Sequence, residues 1–388
     1  MPREVGRDDV VDAVHAQLLG LDPARAGDRG HVAAAVRHDH PLLPDAEVAA
    51  VATAVTARAT GLGPLDRILV DQSVTEVMVN GIGPVWIERH GRLEVTDLHL
   101  GRAQVELLIE RIVGPLGLRA DRSSPIADAR LPDGSRVNVV VPPLAVDGPC
   151  VTIRRFGTRA VRLDELCSTG VAALLTWAVR ARANIMVSGG TGAGKTTLLN
   201  ALGAMLPLGE RLVTVEDTAE LRLPGDHVVR LEARPATADG LGAVSIRQLV
   251  RNALRMRPDR ILVGEVRGPE AVDMLWAMNT GHEGSLSTCH ANSPLDALRR
   301  LEVMVLSAEL DLPLLAVREQ LAAALDLVVH VARLADGGRA IVAVGEVVDP
   351  PDGSSRLRPL ADRDGLHHLP ERPARAVGAP APDPRWCR

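Results

Sequence analysis

Tyrosine is absent from this 388-residue sequence, phenylalanine occurs once and tryptophan four times. A core without aromatic bulk has to be filled by Leu, Val, Ile and Ala. The four cysteines, Cys150, Cys167, Cys289 and Cys387, form no CxxC pair. Neither a zinc ribbon nor a dithiol redox motif is supported, and unpaired thiols suit a reducing compartment. No apolar run reaches the ~18 residues that a membrane span needs. The opening MPREVGRDDVVDAV has no apolar signal-peptide region, because acids interrupt it at once. Positive charge is not in surplus either: the formal net charge is −5. That removes a global basic field for drawing in nucleic acid, and no direct nucleic-acid partner is expected. The expectation is a cytoplasmic protein whose membrane association, if any, is peripheral and borrowed from partners.

What is present is a globular composition, 46% hydrophobic and 24% charged. The chain is too long for one ordinary core, and roughly 150 residues per domain suggests two or three units. Residues 1–60 read as a helical N-terminal segment, with Val10, Val11, Val14 and Leu18 at helical spacing. Gly61-Leu62-Gly63-Pro64 then punctuates the chain. VTEVMVNG, VWIERHGRLEV and RVNVVVPPL are short, alternating and β-branched, and GRAQVELLIERIVGPLG between them is an amphipathic helix pattern. Residues 61–156 therefore read as a small α+β domain, and 157–165 as a linker. From 166 to 350 strand, loop and helix alternate, which argues for a parallel sheet covered by helices. Residues 351–388, rich in Pro, Arg and Asp, read as a partly disordered tail. The fold class expected is α/β, an NTPase domain preceded by a small α+β domain and a helical segment.

Gly189-Gly190-Thr191-Gly192-Ala193-Gly194-Lys195-Thr196 fits GxxxxGK[ST], between an apolar strand (ANIMVSGG) and a helix (KTTLLNALGAML). Glycines let backbone N–H groups turn inward around phosphate oxygens. Lys195 can reach the β- and γ-phosphates, and the Thr196 hydroxyl can ligate Mg²⁺. The helix beginning there, with Thr197 in its first turn, adds its positive dipole end. The loop specifies a nucleoside triphosphate but leaves motor, kinase and switch protein open.

Two apolar strands end in acids: Val213-Thr214-Val215-Glu216-Asp217 and Ile261-Leu262-Val263-Gly264-Glu265. In parallel sheets ligands sit at the carboxyl ends of strands, so both acids are placed to face phosphate. Hydrolysis needs a Mg²⁺ shell and a group that orients water. Glu216 and Glu265 are the candidates for both tasks, directly or through water. Gly264 stands where common ATPases carry Asp before Glu, which leaves Glu216 or Asp217 to supply that contact. His282 and His290 flank a Gly/Ser-rich turn in TGHEGSLSTCHAN, and His290 is taken as a nucleotide-sensing residue.

In combination these segments resemble the secretion ATPase superfamily of type II and type IV secretion, pili and conjugation. GGTGAGKTT looks like its Walker A motif, VEDTAEL its aspartate box and RMRPDRILVGEVRGPEA its atypical Walker B region, in which glutamate follows glycine. TGHEGSLSTCHANSPLDALRRLE looks like its histidine box. GLGPLDRILVDQSVTEVMVNG and LPDGSRVNVVVPPLAVDGPCVTIRRF are similar to the amino-terminal domain of the CpaF/TadA group, the motors of Tad (Flp) pili. The missing cysteine quartet separates the chain from type II export ATPases with a metal-binding insertion.

The resemblance implies a RecA-like ATPase domain, ATP with Mg²⁺, a homohexameric ring, a polytopic inner-membrane platform partner and, indirectly, pilin-like subunits. It also implies that Arg136 and Arg154 of the smaller domain close on phosphate, where guanidinium offsets charge developing on the γ-phosphate. Arg155 reads as a solvated strand-edge residue. Arg247, Arg251 and Arg255 read as an exposed or subunit-contact stripe. The main expectation is a pilus or secretion motor. The alternatives are a conjugation-type ATPase for DNA or effector transfer, and a nucleotide-binding switch scaffold with little hydrolysis.

Overall fold

A computed structural model describes residues 10, 13–14, 29–41, 43–155, 161–234, 242–308, 310–349 and 356–387. Val11 and Leu18 of the first expected helix, residue 156 of the expected α+β domain, residues 157–160 of the expected linker and residues 350–355 lie outside this set. The chain divides into two compact units, residues 1–158 and 159–388. Among the described residues no helix is long and apolar enough to cross a membrane.

In the first unit, helices α1 (Arg29–Asp39) and α2 (Asp45–Thr60) bury Val32, Val36, Val48, Val51 and Val55 in a small cluster that Val10 and Val14 join. An antiparallel sheet follows, built from β1 (Val74–Asn80), β2 (Gly83–Arg89), β3 (Arg92–Leu100), β4 (Ile126–Arg130), β5 (Arg136–Val140) and β6 (Cys150–Arg154) in the order β3-β2-β1-β6-β5-β4. Register explains why alternation specifies it. Ile87, Val77, Ile153 and Val137 stand opposite one another on successive strands, so one apolar row crosses four of them. A helix (Arg102–Val113) covers that face with Val105, Leu108, Ile109 and Ile112, spaced as one helical stripe. VWIERHGRLEV is a hairpin rather than one strand. His90 (φ 49°) and Gly91 (φ 76°) make the turn with left-handed backbone, matching the twist of the flanking strands. On the opposite face Arg136 pairs across from Arg154, which in turn lies beside Glu76.

The second unit is an eight-stranded sheet. It comprises β7 (Ile185–Gly189), β8 (Leu212–Glu216), β9 (Val228–Glu232), β10 (Arg260–Val266), β11 (Leu286–His290), β12 (Leu327–Arg333), β13 (Arg339–Val348) and β14 (Arg356–Asp362), ordered β14-β13-β12-β7-β11-β10-β8-β9. The strands from β12 to β9 run parallel. Successive side chains of β7 feed opposite cores: Ile185 and Val187 join one cluster, Met186 the other. Burial on both faces is why these strands read as unbroken apolar runs. A helix Thr169–Arg180 and the helix after the glycine loop, Lys195–Gly203, cover one face. Helices Ile246–Ala253, Glu270–Asn279, Pro294–Leu306 and Leu314–Ala324 cover the other. The α/β class with a preceding antiparallel α+β unit is thus the fold observed.

Two local expectations fail. The sheet is mixed, not purely parallel, because the five-residue turn 334–338 is too short for a crossover and returns β13 antiparallel to β12. The tail, expected to be partly disordered, supplies edge strand β14 and then packs on the unit. Arg358 Nη2 reaches Glu346 Oε2 at 2.6 Å, and Arg372 and Arg375 reach the two oxygens of Asp326 at 3.1 and 2.6 Å. Glu346 is 1% exposed, and a carboxylate buried that far must be paired. Trp177 Nε1 also donates to the Pro380 carbonyl at 2.7 Å. Arginines that composition counts as solvating are here the counterions of acids tens of residues upstream.

Candidate active site

Strand β7 ends at Gly189 and the helix Lys195–Gly203 begins six residues later, so residues 190–194 form the loop. Glycine is required at its entrance, since a Cβ on Gly189 would stand 2.5 Å from the Val331 carbonyl oxygen of the neighbouring strand. Gly192 and Gly194 take left-handed backbone at φ 69° and 100°, and the latter starts the helix. The first-turn N–H groups, those of Thr196 and Thr197 among them, therefore face the loop as anion donors. Lys195 is only 8% exposed. Its ammonium donates to the carbonyls of Gly189 (3.3 Å) and Gly190 (3.1 Å). It is the single lysine of the chain, although Lys and Arg together number 44.

Parallel pairing brings the other groups to the same edge. His290 ends β11 directly opposite Gly189. Its Nδ1 lies 3.2 Å from Lys195 Nζ, and its Nε2 lies 3.1 Å from Glu265 Oε1. Burial, reinforced by the Lys195 charge, lowers the His290 pKa, so the ring is the neutral form. Nε2 faces the Glu265 carboxylate, and the Lys195 ammonium lies nearly equidistant from the two ring nitrogens, 3.2 Å from Nδ1 and 3.3 Å from Nε2. Glu265 also receives Arg267 Nε at 2.5 Å. Burial pushes its carboxyl up, but Arg267, His290 and Lys195 together outweigh that and hold it below the ordinary value. The result is one connected run, Lys195–His290–Glu265–Arg267, beside the loop.

Glu216, on β8 next to β10, is 2% exposed. Its Oε2 accepts backbone N–H groups of Glu220 and Leu221 at 2.7 and 2.9 Å. Its Oε1 is buried with no hydrogen-bond partner among the described residues. Burial raises its pKa, and the N–H groups of Leu221 and Glu220 offset this only in part. The side chain also accounts for Gly264: a Cβ there would lie 2.9 Å from Glu216 Cγ. The glutamate of one strand fills the space that an aspartate of the next would need. Gly264→Ala should therefore displace Glu216, lowering unfolding stability by about 1–3 kcal/mol through overpacking and cutting ATP turnover. Urea unfolding and phosphate release measure the two effects; wild-type values in both would refute the steric account.

Asp217 is half-exposed, 3.8 Å from Arg267. Arg136 and Arg154 belong to the first unit. Arg155 is not solvated, since its guanidinium donates to the carbonyls of Asp71 (2.5 Å) and Val74 (3.2 Å). The arginine stripe is likewise tied inward in part: Arg247 and Arg251 both bond Asp273, which is 2% exposed, at 2.7 and 2.6 Å. Sequence reasoning missed Arg267, although its place two residues after Glu265 puts both on one side of the chain. It also missed the buried Ser188–His330 pair behind the loop (2.9 Å), which only the β7–β12 register reveals.

Comparison with known proteins agrees with this geometry. The family described as type II/IV secretion system protein matches residues 58–358. A putative conjugal transfer protein of Mycobacterium tuberculosis is 41% identical over 316 residues, covering 78% of this chain and 89% of that protein. Conjugal transfer protein TrbB of Rhizobium radiobacter is 39% identical over 280 residues, covering 70% and 83%. Both relatives are named for conjugal transfer and neither for Tad or Flp pilus assembly. The solved ATPase DotB of Legionella pneumophila is similar at TM-score 0.54 and 21% identity, over 74% of this chain and 81% of that one, a likeness of fold alone.

Proposed function

The chain belongs to the type II/IV secretion system protein family and is a secretion-system ATPase; from that premise we propose that it powers a conjugation-type type IV secretion machine. The observation that carries this reading is the pair of conjugal transfer relatives, matched over more than four-fifths of their own lengths. In this reading ATP sits on the loop Gly189–Thr197. Glu265 orients the attacking water, being the carboxylate that stays ionised and is connected to Lys195 through His290. Glu216 is the buried second acid that shapes the site. Mg²⁺ comes with the nucleotide: the Thr196 hydroxyl, Glu265 and Glu216 offer only oxygen, which suits a hard cation. Among the described residues no group of three or more His, Cys, Asp or Glu could hold a metal, in keeping with an ion that phosphate oxygens help to bind.

The proposal includes a hexameric ring, Arg136 and Arg154 closing on phosphate, and a polytopic inner-membrane partner against which a cytoplasmic motor pushes. The second reading, a Tad/Flp pilus motor, rests on the resemblance of residues 61–81 and 131–156 to the CpaF/TadA amino-terminal domain. The two part company in cells carrying Lys195→Ala in place of the wild-type protein. Loss of marker transfer to recipients with surface pilin display intact supports the conjugation reading; loss of pilin display alone reverses it. Purified wild-type protein that binds ATP without releasing phosphate would return it to a switch scaffold.

A further inference from the structure

Two arginines outside the residues assigned above stand against the glycine loop. Strand β12 lies beside β7 with His330 opposite Ser188, so it continues past the end of β7 and runs alongside the loop to Arg333. The hairpin returns at Arg339, the residue directly across from Arg333. Arg339 Cδ lies 2.8 Å from where a Cβ on Gly194 would stand, and Arg333 Nη1 lies 4.0 Å from the same point on Gly192. Both arginines are exposed. Side chains directly opposite on an antiparallel pair project to one face, so the hairpin sets two guanidinium groups on one side of the loop, where a polyanion seated in it meets both.

We propose that Arg333 and Arg339 are nucleotide-binding residues that grip the α- and β-phosphates, an inference that rests on the loop being the nucleotide site. The strand order assigns them to those phosphates. Glu265 and His290 lie on β10 and β11, on one side of β7; the arginine hairpin lies on the other. The γ-phosphate belongs beside the water-orienting carboxylate, so the opposite flank of the loop meets the part of the nucleotide shared by ATP and ADP. Guanidinium suits that task, with its planar fork of donors matched to phosphate oxygens.

The test measures ADP binding by calorimetry, and KM and kcat for ATP, in wild type, Arg333→Ala, Arg339→Ala and the double variant. Each single variant should raise the ADP dissociation constant and the KM about tenfold, the loss of one charge-assisted contact. The value of kcat should stay within about twofold, because binding lost equally from ground and transition states leaves it unchanged. Arg333→Gln and Arg339→Gln, which keep the aliphatic stem, replace any alanine variant that fails to fold. Unchanged ADP affinity and KM in folded variants would overturn this inference alone. Lower kcat at unchanged ADP affinity would overturn it too, moving the arginines to the γ-phosphate. Wild-type protein that binds no nucleotide would remove the loop reading itself.

Discussion

Lys195→Ala should abolish phosphate release and weaken ATP binding by about a hundredfold, the scale of losing charged hydrogen bonds to phosphate. The size of the effect follows from where the residue sits. Lys195 is packed beneath the loop with its ammonium on the Gly189 and Gly190 carbonyls and on His290. Alanine removes the β/γ-phosphate contact and at the same time leaves two carbonyls without that donor and His290 without the neighbouring charge. Lys195→Arg should not rescue, because a planar guanidinium does not fit a site shaped around a compact ammonium only 8% exposed. Phosphate release and nucleotide binding read the outcome, with circular dichroism to show an intact fold. A folded Lys195→Ala protein with wild-type turnover would remove residues 189–197 from consideration as the nucleotide site.

Glu265→Gln should lower turnover by on the order of 10²–10⁴-fold, the range for losing a positioned general base, while ATP affinity should stay within a few-fold. The amide keeps the shape and can still accept from His290 Nε2 and Arg267, so the loss is one of charge. Because Arg267, His290 and Lys195 overcome burial and hold the carboxyl below its ordinary value, wild-type Glu265 should protonate only at lower pH than a free glutamate. The sign for stability is the same. Ionised Glu265 stabilises the fold above the unfolded-state carboxylate pKa, and that contribution is lost as pH falls through its lowered value. A collapse of ATP affinity in a folded Glu265→Gln protein would contradict the water-orienting role. Glu216→Gln is the informative companion: the amide oxygen can keep both backbone N–H groups, but it puts an NH2 where Oε1 is buried with no partner among the described residues, so it should lower stability as well as rate.

The sequence displayed those parts of the site whose chemistry is local. The glycine loop, its lysine and the two acid-ended strands are each contiguous, and backbone periodicity alone puts them at the carboxyl edge of a sheet. Apolar runs likewise predicted buried strands at β7, β8 and β10. What stayed hidden depends on which strand lies beside which. The fit of Glu216 over Gly264 needs the β8–β10 pairing, and the contact of Val331 with Gly189 needs β12 beside β7. The tail failed for the opposite reason. Its local composition is that of a solvated chain, but Asp326 and Glu346 are buried acids that bind its arginines across tens of residues. Asp273 shows the same thing inside the unit, drawing Arg247 and Arg251 in from a stripe that looked like an open face.

That Lys195 has no counterpart elsewhere in the chain makes it a built-in label. Amine-directed chemistry meets one ε-amine per subunit, at the loop, together with the chain's α-amine. Reductive methylation with a carbon-13 reagent would place one side-chain spectroscopic reporter at the loop, with no background from surface lysines. That amine is only 8% exposed and holds two loop carbonyls, so it reacts only as the loop opens; nucleotide seated there would slow the reaction further, and the labelling rate reports on occupancy of the loop.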